Sequence, residues 1–299
     1  MWETSWQEGP KCGWTRLLLL PGRRIPSNPT RAVVNLPNFK TILNSAFDDI
    51  SKGWKLRTLW IALATEDIGE QHRRTALGPL WLLLNYLLFV GTFLIVFGHN
   101  SSVPHFAAYV SIGLLIYLYI QELTLQAMSL FLREESLIAG TALPLSVYVL
   151  RLTAQSLIRV AYALTGCVIL VAVTGIVWSG SSIVALLGLL NLVVATPAVI
   201  IVLAFVGAYF PDGQFIISNL MRLMMFLTPI FWTRGANQMV DALYHWNPLT
   251  HYIEAIRAPF ISGTASATSV WTSITITLSF WMMAIYFLGR YRKRIVFLL

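Results

Sequence analysis

Four charged side chains lie inside or at the ends of long apolar runs: Glu122, Arg151, Arg159 and Arg222. A charge at the centre of a membrane helix costs about 2.5–3.5 kcal/mol on insertion scales, so such a residue faces a cavity, a partner or the interface. Arg151 and Arg159 are eight residues apart, roughly 12 Å of helix. Both can therefore lie toward the cytoplasmic end of one span, and snorkelling to the headgroups is the preferred reading of Arg151. Arg222 is enclosed by Met221, Leu223, Met224 and Met225, and pairing with Glu122 is its expected state. Acid–base chemistry has less to build on. Asp67, Glu70 and His72 come closest to a converging set, yet their spacing reads equally as the solvent face of a helix. His245 and His251 lack a metal spacing, and Cys12 and Cys167 suggest neither a metal site nor a disulfide framework. The chain has no Walker A pattern and so no phosphate cradle of that type.

The elements that position these residues are legible in the apolar runs. Hydrophobic residues make up 57% of the chain and charged residues 11%, with a mean hydropathy of +0.68; a soluble domain carries about 25% charged residues. In lipid the backbone must satisfy its own hydrogen bonds, which leaves helices or a closed barrel, and these runs exceed the roughly 9–11 residues of a barrel strand. The predicted fold is an all-α polytopic membrane protein with six transmembrane helices. They are read at 79–98, 106–125, within 147–178, within 183–210, at 215–233 and at 270–289. Lys52, Lys55, Arg57, Arg73 and Arg74 precede the first span, and Arg290, Arg292, Lys293 and Arg294 follow the last. The short loops 99–105 and 179–182 carry no Lys or Arg. The positive-inside rule then places both termini in the cytoplasm, as six spans require. The net charge of +8 thus follows from topology and does not imply nucleic-acid binding.

Residues 1–45, with five prolines and scattered basic residues, read as a flexible cytoplasmic tail ahead of a membrane domain at 46–299. Leu56, Leu59, Trp60, Leu63 and Ile68 recur near helical spacing, with Lys52, Lys55, Arg57, Glu66, Asp67 and Glu70 between them. That pattern predicts an amphipathic helix lying in the cytoplasmic interface. It leads into Arg73-Arg74-Thr75-Ala76-Leu77-Gly78-Pro79-Leu80-Trp81. The arginines suit lipid phosphates, Pro79 suits a helix start and Trp81 the headgroup level.

This stretch resembles the motif that opens the membrane domain of ABC-2-type permeases exporting polysaccharides such as O-antigen, capsule and teichoic acid. Leu227-Thr228-Pro229-Ile230-Phe231-Trp232 looks like the fifth-span motif of those permeases. Asn247-Pro248-Leu249-Thr250-His251-Tyr252-Ile253-Glu254-Ala255-Ile256-Arg257-Ala258-Pro259 looks like their segment before the last span. The chain departs from the pattern at His72, where an aromatic is common, and at Pro211-Asp212, where Arg-Asp is common. The resemblance covers about residues 50–299.

The resemblance implies a homodimer working with two copies of a nucleotide-binding ATPase subunit, in the cytoplasmic (inner) membrane. ATP and Mg would sit on that partner, with no cofactor in this chain, and a lipid-linked polysaccharide would pass between the permeases. The loop at about 126–150 becomes the ATPase coupling region, with Arg133, Glu134, Glu135, Ala142, Leu143 and Pro144 as candidates. Trp60, Arg73, Arg74, Gly78, Pro79 and Trp81 form the interfacial motif that meets membrane lipids. The segment 234–263 becomes an external re-entrant gate carrying Asn247, Pro248, Glu254, Arg257 and Pro259. Sugars present flat C–H faces on which aromatic rings stack without reading one sugar in detail. The candidate path is therefore Tyr86, Phe89, Phe93, Phe97, Phe226, Phe231 and Trp232, with Phe89, Phe93 and Phe97 on one helix face. Arg222, if not paired, would meet the pyrophosphate of the lipid carrier.

Three alternatives stand beside this reading. One is an ABC-2 exporter of small drugs or lipids. Another is a membrane-embedded glycosyl- or acyltransferase, for which Asp67, Glu70 and His72 are the nearest approach to a catalytic set. The last is a free-standing channel or secondary carrier, which the absence of interrupted repeat halves in the sequence disfavours.

Overall fold

The computed structural model describes residues 39–98, 105–174, 182–233 and 238–298, which form eleven helices. Two precede the first span. α1 (Phe39–Lys55) buries Ile42, Ala46, Asp49 and Gly53, one stripe at helical spacing, against α6 and α11. Leu56 leaves helical geometry, and α2 (Arg57–His72) follows. The expected interfacial helix is thus two helices, and the amphipathic stripe belongs to α1; α2 buries only Ala64 and Ile68. α1 also begins inside the segment read as a tail, while residues 1–38 lie outside the described residues.

Gly78, at φ +55, makes the turn that lets Pro79 lead into α3 (Leu80–Phe97). Only Tyr86 and Val90 of α3 are buried, as suits a helix facing lipid or a partner. α4 (Phe106–Arg133) is the central helix and is buried along most of its length between α6 and α7. α5 (Glu135–Gly140) is a short turn of helix, and Pro144 precedes α6 (Leu145–Val173). α7 (Ser182–Tyr209) contains Pro197, which leaves a carbonyl of the preceding turn without its usual donor. That carbonyl is Val193's; on either side of it the Val194 carbonyl accepts from the Trp281 indole at 3.0 Å and the Leu192 carbonyl from the Thr196 hydroxyl at 2.9 Å. Gly207 lies against the backbone carbonyl of Met128, so a Cβ there has no room between α7 and α4.

Among the described residues five helices are long and apolar enough to cross a membrane: α3, α4, α6, α7 and α11 (Ala267–Leu298). The fifth predicted span, 215–233, is instead α8 (Gly213–Leu227), a shorter apolar helix of 15 residues. That is about 22 Å of helix against a hydrocarbon core of about 30 Å. It stops because Thr228 precedes Pro229 and takes an extended conformation, φ −95 and ψ 139. α9 (Gln238–Trp246) and α10 (Pro248–Ile261) follow. α10 is mostly buried against α4, α7 and α11. Its start is built by the Asn247 side chain, which accepts from the Leu249 N–H at 2.9 Å, with Pro248 in the first turn. The Asn247 amide also donates to the Thr228 hydroxyl at 2.8 Å, tying the start of α10 to the break after α8.

Candidate functional site

The aromatic residues of α3 converge with one from the break after α8. Phe89 meets Phe93 edge-on at 5.1 Å between ring centroids, and Phe93 and Phe97 stack at 5.9 Å. Phe231 stacks on Phe93 at 4.3 Å and on Phe97 at 5.6 Å. Four of the predicted path residues therefore form one aromatic ladder with Phe89 and Phe97 on its exposed side. The others are placed differently. Tyr86 is buried and donates to the Ser111 carbonyl at 2.9 Å, so it serves packing with one edge toward a cleft. Phe226 and Arg222 share the exposed face of α8, and the Trp232 indole donates to the Phe226 carbonyl at 3.0 Å.

A polar network joins α2, α4 and α6. Arg151 holds Asp67 with two bonds, Nε to Oδ2 at 2.6 Å and Nη2 to Oδ1 at 2.7 Å. Its Nη1 donates to Glu134 at 3.2 Å, and Gln155 also donates to Asp67. Arg159 donates to the Gln71 side chain at 3.1 Å and lies 3.0 Å from Glu122. Arg151, Gln155 and Arg159 stand at i, i+4 and i+8 and present one polar face of α6. Two expectations are corrected here. Arg151 does not snorkel; the bidentate geometry favoured by a guanidinium ties it to α2. Glu122 pairs with Arg159, whereas Arg222 is exposed and makes no ion pair among the described residues. Asp67 is a counter-ion inside this network and is not part of a free acid–base set. A cavity of about 460 Å³ opens beside Asp67, Gln71, Arg151 and Arg159. A second, of about 450 Å³, is lined by Tyr86, Phe89, Glu122 and Arg159, so Arg159 borders both.

The coupling candidates divide by burial. Glu134 is buried and bonded to Arg151, with Arg133 Nε at 3.4 Å. Glu135 and Ala142 are exposed, and Leu143 and Pro144 partly so. Just beyond Pro144, buried Asp49 of α1 accepts from the Ser146 N–H at 2.9 Å and from Arg292 of α11 at 3.0 Å. Sequence reasoning missed Asp49, Gln155 and Gln71. A lone acid in the apolar stripe of α1 is the signal that marks Asp49.

In the interfacial motif Arg73, Arg74 and Trp81 are exposed, and Trp60 sits 6.1 Å from Trp54. At the opposite end, Arg257 is buried to 1% exposure. It pairs with Glu254, donates to the Pro229 carbonyl at 2.7 Å and lies 3.6 Å over the Tyr109 ring. The Tyr109 hydroxyl donates to the Pro229 and Trp232 carbonyls at 3.3 and 3.0 Å. His251 meets the His245 carbonyl at 3.0 Å and Pro259 is buried in α10. Three stretches far apart in sequence thus meet around Pro229. Among the described residues no cluster of His, Cys, Asp and Glu fits a metal.

Fold and site define a multi-pass α-helical membrane protein with an aromatic ladder, a partly buried polar network and a buried Arg257–Glu254 pair. The profile of the ABC-2 type transporter family matches residues 58–261, more than half of the chain, and the chain belongs to that family. It is similar to the O-antigen export system permease protein RfbA of Klebsiella pneumoniae. The two are 24% identical over 218 residues, which span 69% of this chain and 81% of the relative.

Proposed function

We propose that this chain is the channel-forming permease of an ATP-driven exporter that moves a lipid-linked polysaccharide, of O-antigen or capsule type, across the cytoplasmic membrane. Two copies line the path and two copies of a separate ATPase subunit, holding ATP and Mg, supply the energy. The observation that carries this reading is the ladder of Phe89, Phe93, Phe97 and Phe231. It offers sugar rings stacking faces while demanding no single hydroxyl pattern, as a sliding polymer needs. Membership of the ABC-2 family supports the transport class, and the name of the Klebsiella relative supports the glycan.

In this reading α8 and the segment after it complete a sixth crossing, so both termini are cytoplasmic. α9 and α10 form the external gate, with Asn247, Pro248, Glu254, Arg257 and Pro259 shaping it. The exposed Glu135 and Ala142, with Arg133, Leu143 and Pro144, meet the ATPase. Arg222, exposed and without an ion pair among the described residues, is available to the carrier pyrophosphate. Purification of the tagged chain from its native host tests the whole. A stoichiometric ATPase, together with loss of surface glycan when the gene is removed, supports it. An intact homodimer without any ATPase favours a channel, and an ATPase with unchanged surface glycan favours a small-molecule ABC-2 exporter.

A further inference from the structure

A third cavity, of about 360 Å³, lies beside the Arg257–Glu254 pair. Tyr109, Arg257 and Glu254 form its buried floor. Its rim carries the hydroxyls of Thr233, Ser262, Thr264 and Ser266. The volume falls in the range of small-ligand sites, about 300–1,000 Å³. The turn at Gly263, φ +67, and the 3.1 Å contact between the Ser262 and Thr264 hydroxyls preform the rim. Arg257 keeps one buried donor, Nε, with no acceptor among the described residues, although its other groups are bound. A buried donor left unmet costs about 1–3 kcal/mol, and both Arg257 and Glu254 border the open volume.

The charge balance narrows the ligand. Arg257 and Glu254 neutralise each other, and among the described residues no other charged side chain lines the cavity. A phosphate or a free carboxylate would therefore meet the Glu254 carboxylate without a spare cation. A neutral ring bearing several hydroxyls matches the mixture of one guanidinium donor, one carboxylate acceptor and a hydroxyl rim. The cavity also adjoins the ladder: Thr233 is two residues from Phe231, and the Tyr109 hydroxyl bonds the Trp232 carbonyl.

We infer that this cavity is a subsite for one neutral pyranose at the outer end of the aromatic ladder, with Arg257, Glu254 and Tyr109 as its floor and Ser262, Thr264 and Ser266 as its rim. The inference rests on the polysaccharide-export reading and adds a place where the moving chain is held by hydroxyl recognition. Such a hold would keep the polymer from sliding back between cycles.

Saturation-transfer NMR on the full-length chain in lipid nanodiscs free of glycoside detergent tests it. The probes are methyl α-glucopyranoside, methyl α-mannopyranoside and methyl β-galactopyranoside, with methyl phosphate as the anionic control. Transfer to the ring protons of at least one pyranoside, lost in Thr264→Trp, is expected. The rim position is exposed, so that variant keeps its fold, and an unchanged Tm verifies it. No transfer to any pyranoside, transfer unchanged in Thr264→Trp, or preferential transfer to methyl phosphate overturns the subsite. This readout needs neither ATPase nor export. A co-purifying ATPase without pyranoside binding would sink the subsite alone.

Discussion

Phe231 shows how a single side chain can join two elements. It lies beyond the proline break that ends α8, yet its ring stacks on Phe93 of α3. Such an aromatic pair contributes about 0.5–1.5 kcal/mol beyond area burial. Phe93→Ala and Phe231→Ala are each expected to lower surface glycan at normal protein level. The double variant should lose less than the sum of the two single losses, because the two share the Phe93–Phe231 contact; quantitative glycan blotting from matched membranes measures this. Arg222 makes a different prediction. With no ion pair to break among the described residues, Arg222→Ala should leave the protein level unchanged. If the guanidinium grips a pyrophosphate with two bonds, Arg222→Lys should also lower export, since an ammonium cannot reproduce the fork. Full export from Arg222→Lys would exclude that role.

At the scale of elements, α6 is the hub. Its N-terminal half holds α1 through Ser146 and Asp49, and α2 through Arg151, Gln155 and Arg159. It follows directly on the coupling candidates 142–144. A displacement at that surface therefore reaches α1 and α2 through hydrogen bonds already made. Asp67→Asn should cost about 2 kcal/mol, as expected for losing charge-assisted bonds. If the proposed ATPase acts through this tie, hydrolysis should be retained and export reduced. The exchanged pair Asp67→Arg with Arg151→Asp should recover part of the export if the tie itself matters. Equal hydrolysis and export losses would show mere destabilisation. Gly207→Ala should cost about 1–3 kcal/mol by overpacking against Met128. Gly91→Ala, with nothing within 4 Å, should be tolerated; the melting temperatures of the two purified variants compare them.

These ties also mark the limit of the sequence as a guide. The apolar runs announced α3, α4, α6, α7 and α11 because lipid demands continuous helical hydrogen bonding. The ladder on α3 followed from spacing alone. The Asp67–Arg151 pair spans 84 residues, and no periodicity reports a contact between separate elements. Arg151 read as an interfacial cation because its partner lies on another helix. The end of α8 was legible in Thr228-Pro229, yet the apolar run continuing to Trp232 masked it.

For the whole molecule, the described helices leave the faces of α3 and α8 exposed while α4 is enclosed. Those exposed faces are the proposed lining of a glycan path between two copies. The most direct measurement puts a photoreactive aromatic amino acid at position 93 in living cells making surface glycan. Irradiation should yield an adduct of this chain that stains for carbohydrate, that disappears when glycan synthesis is blocked, and that fails to form from position 95, which is exposed on the other side of α3. Adducts with lipid only, at position 93 as at position 95, would contradict the claim that the ladder carries a polysaccharide.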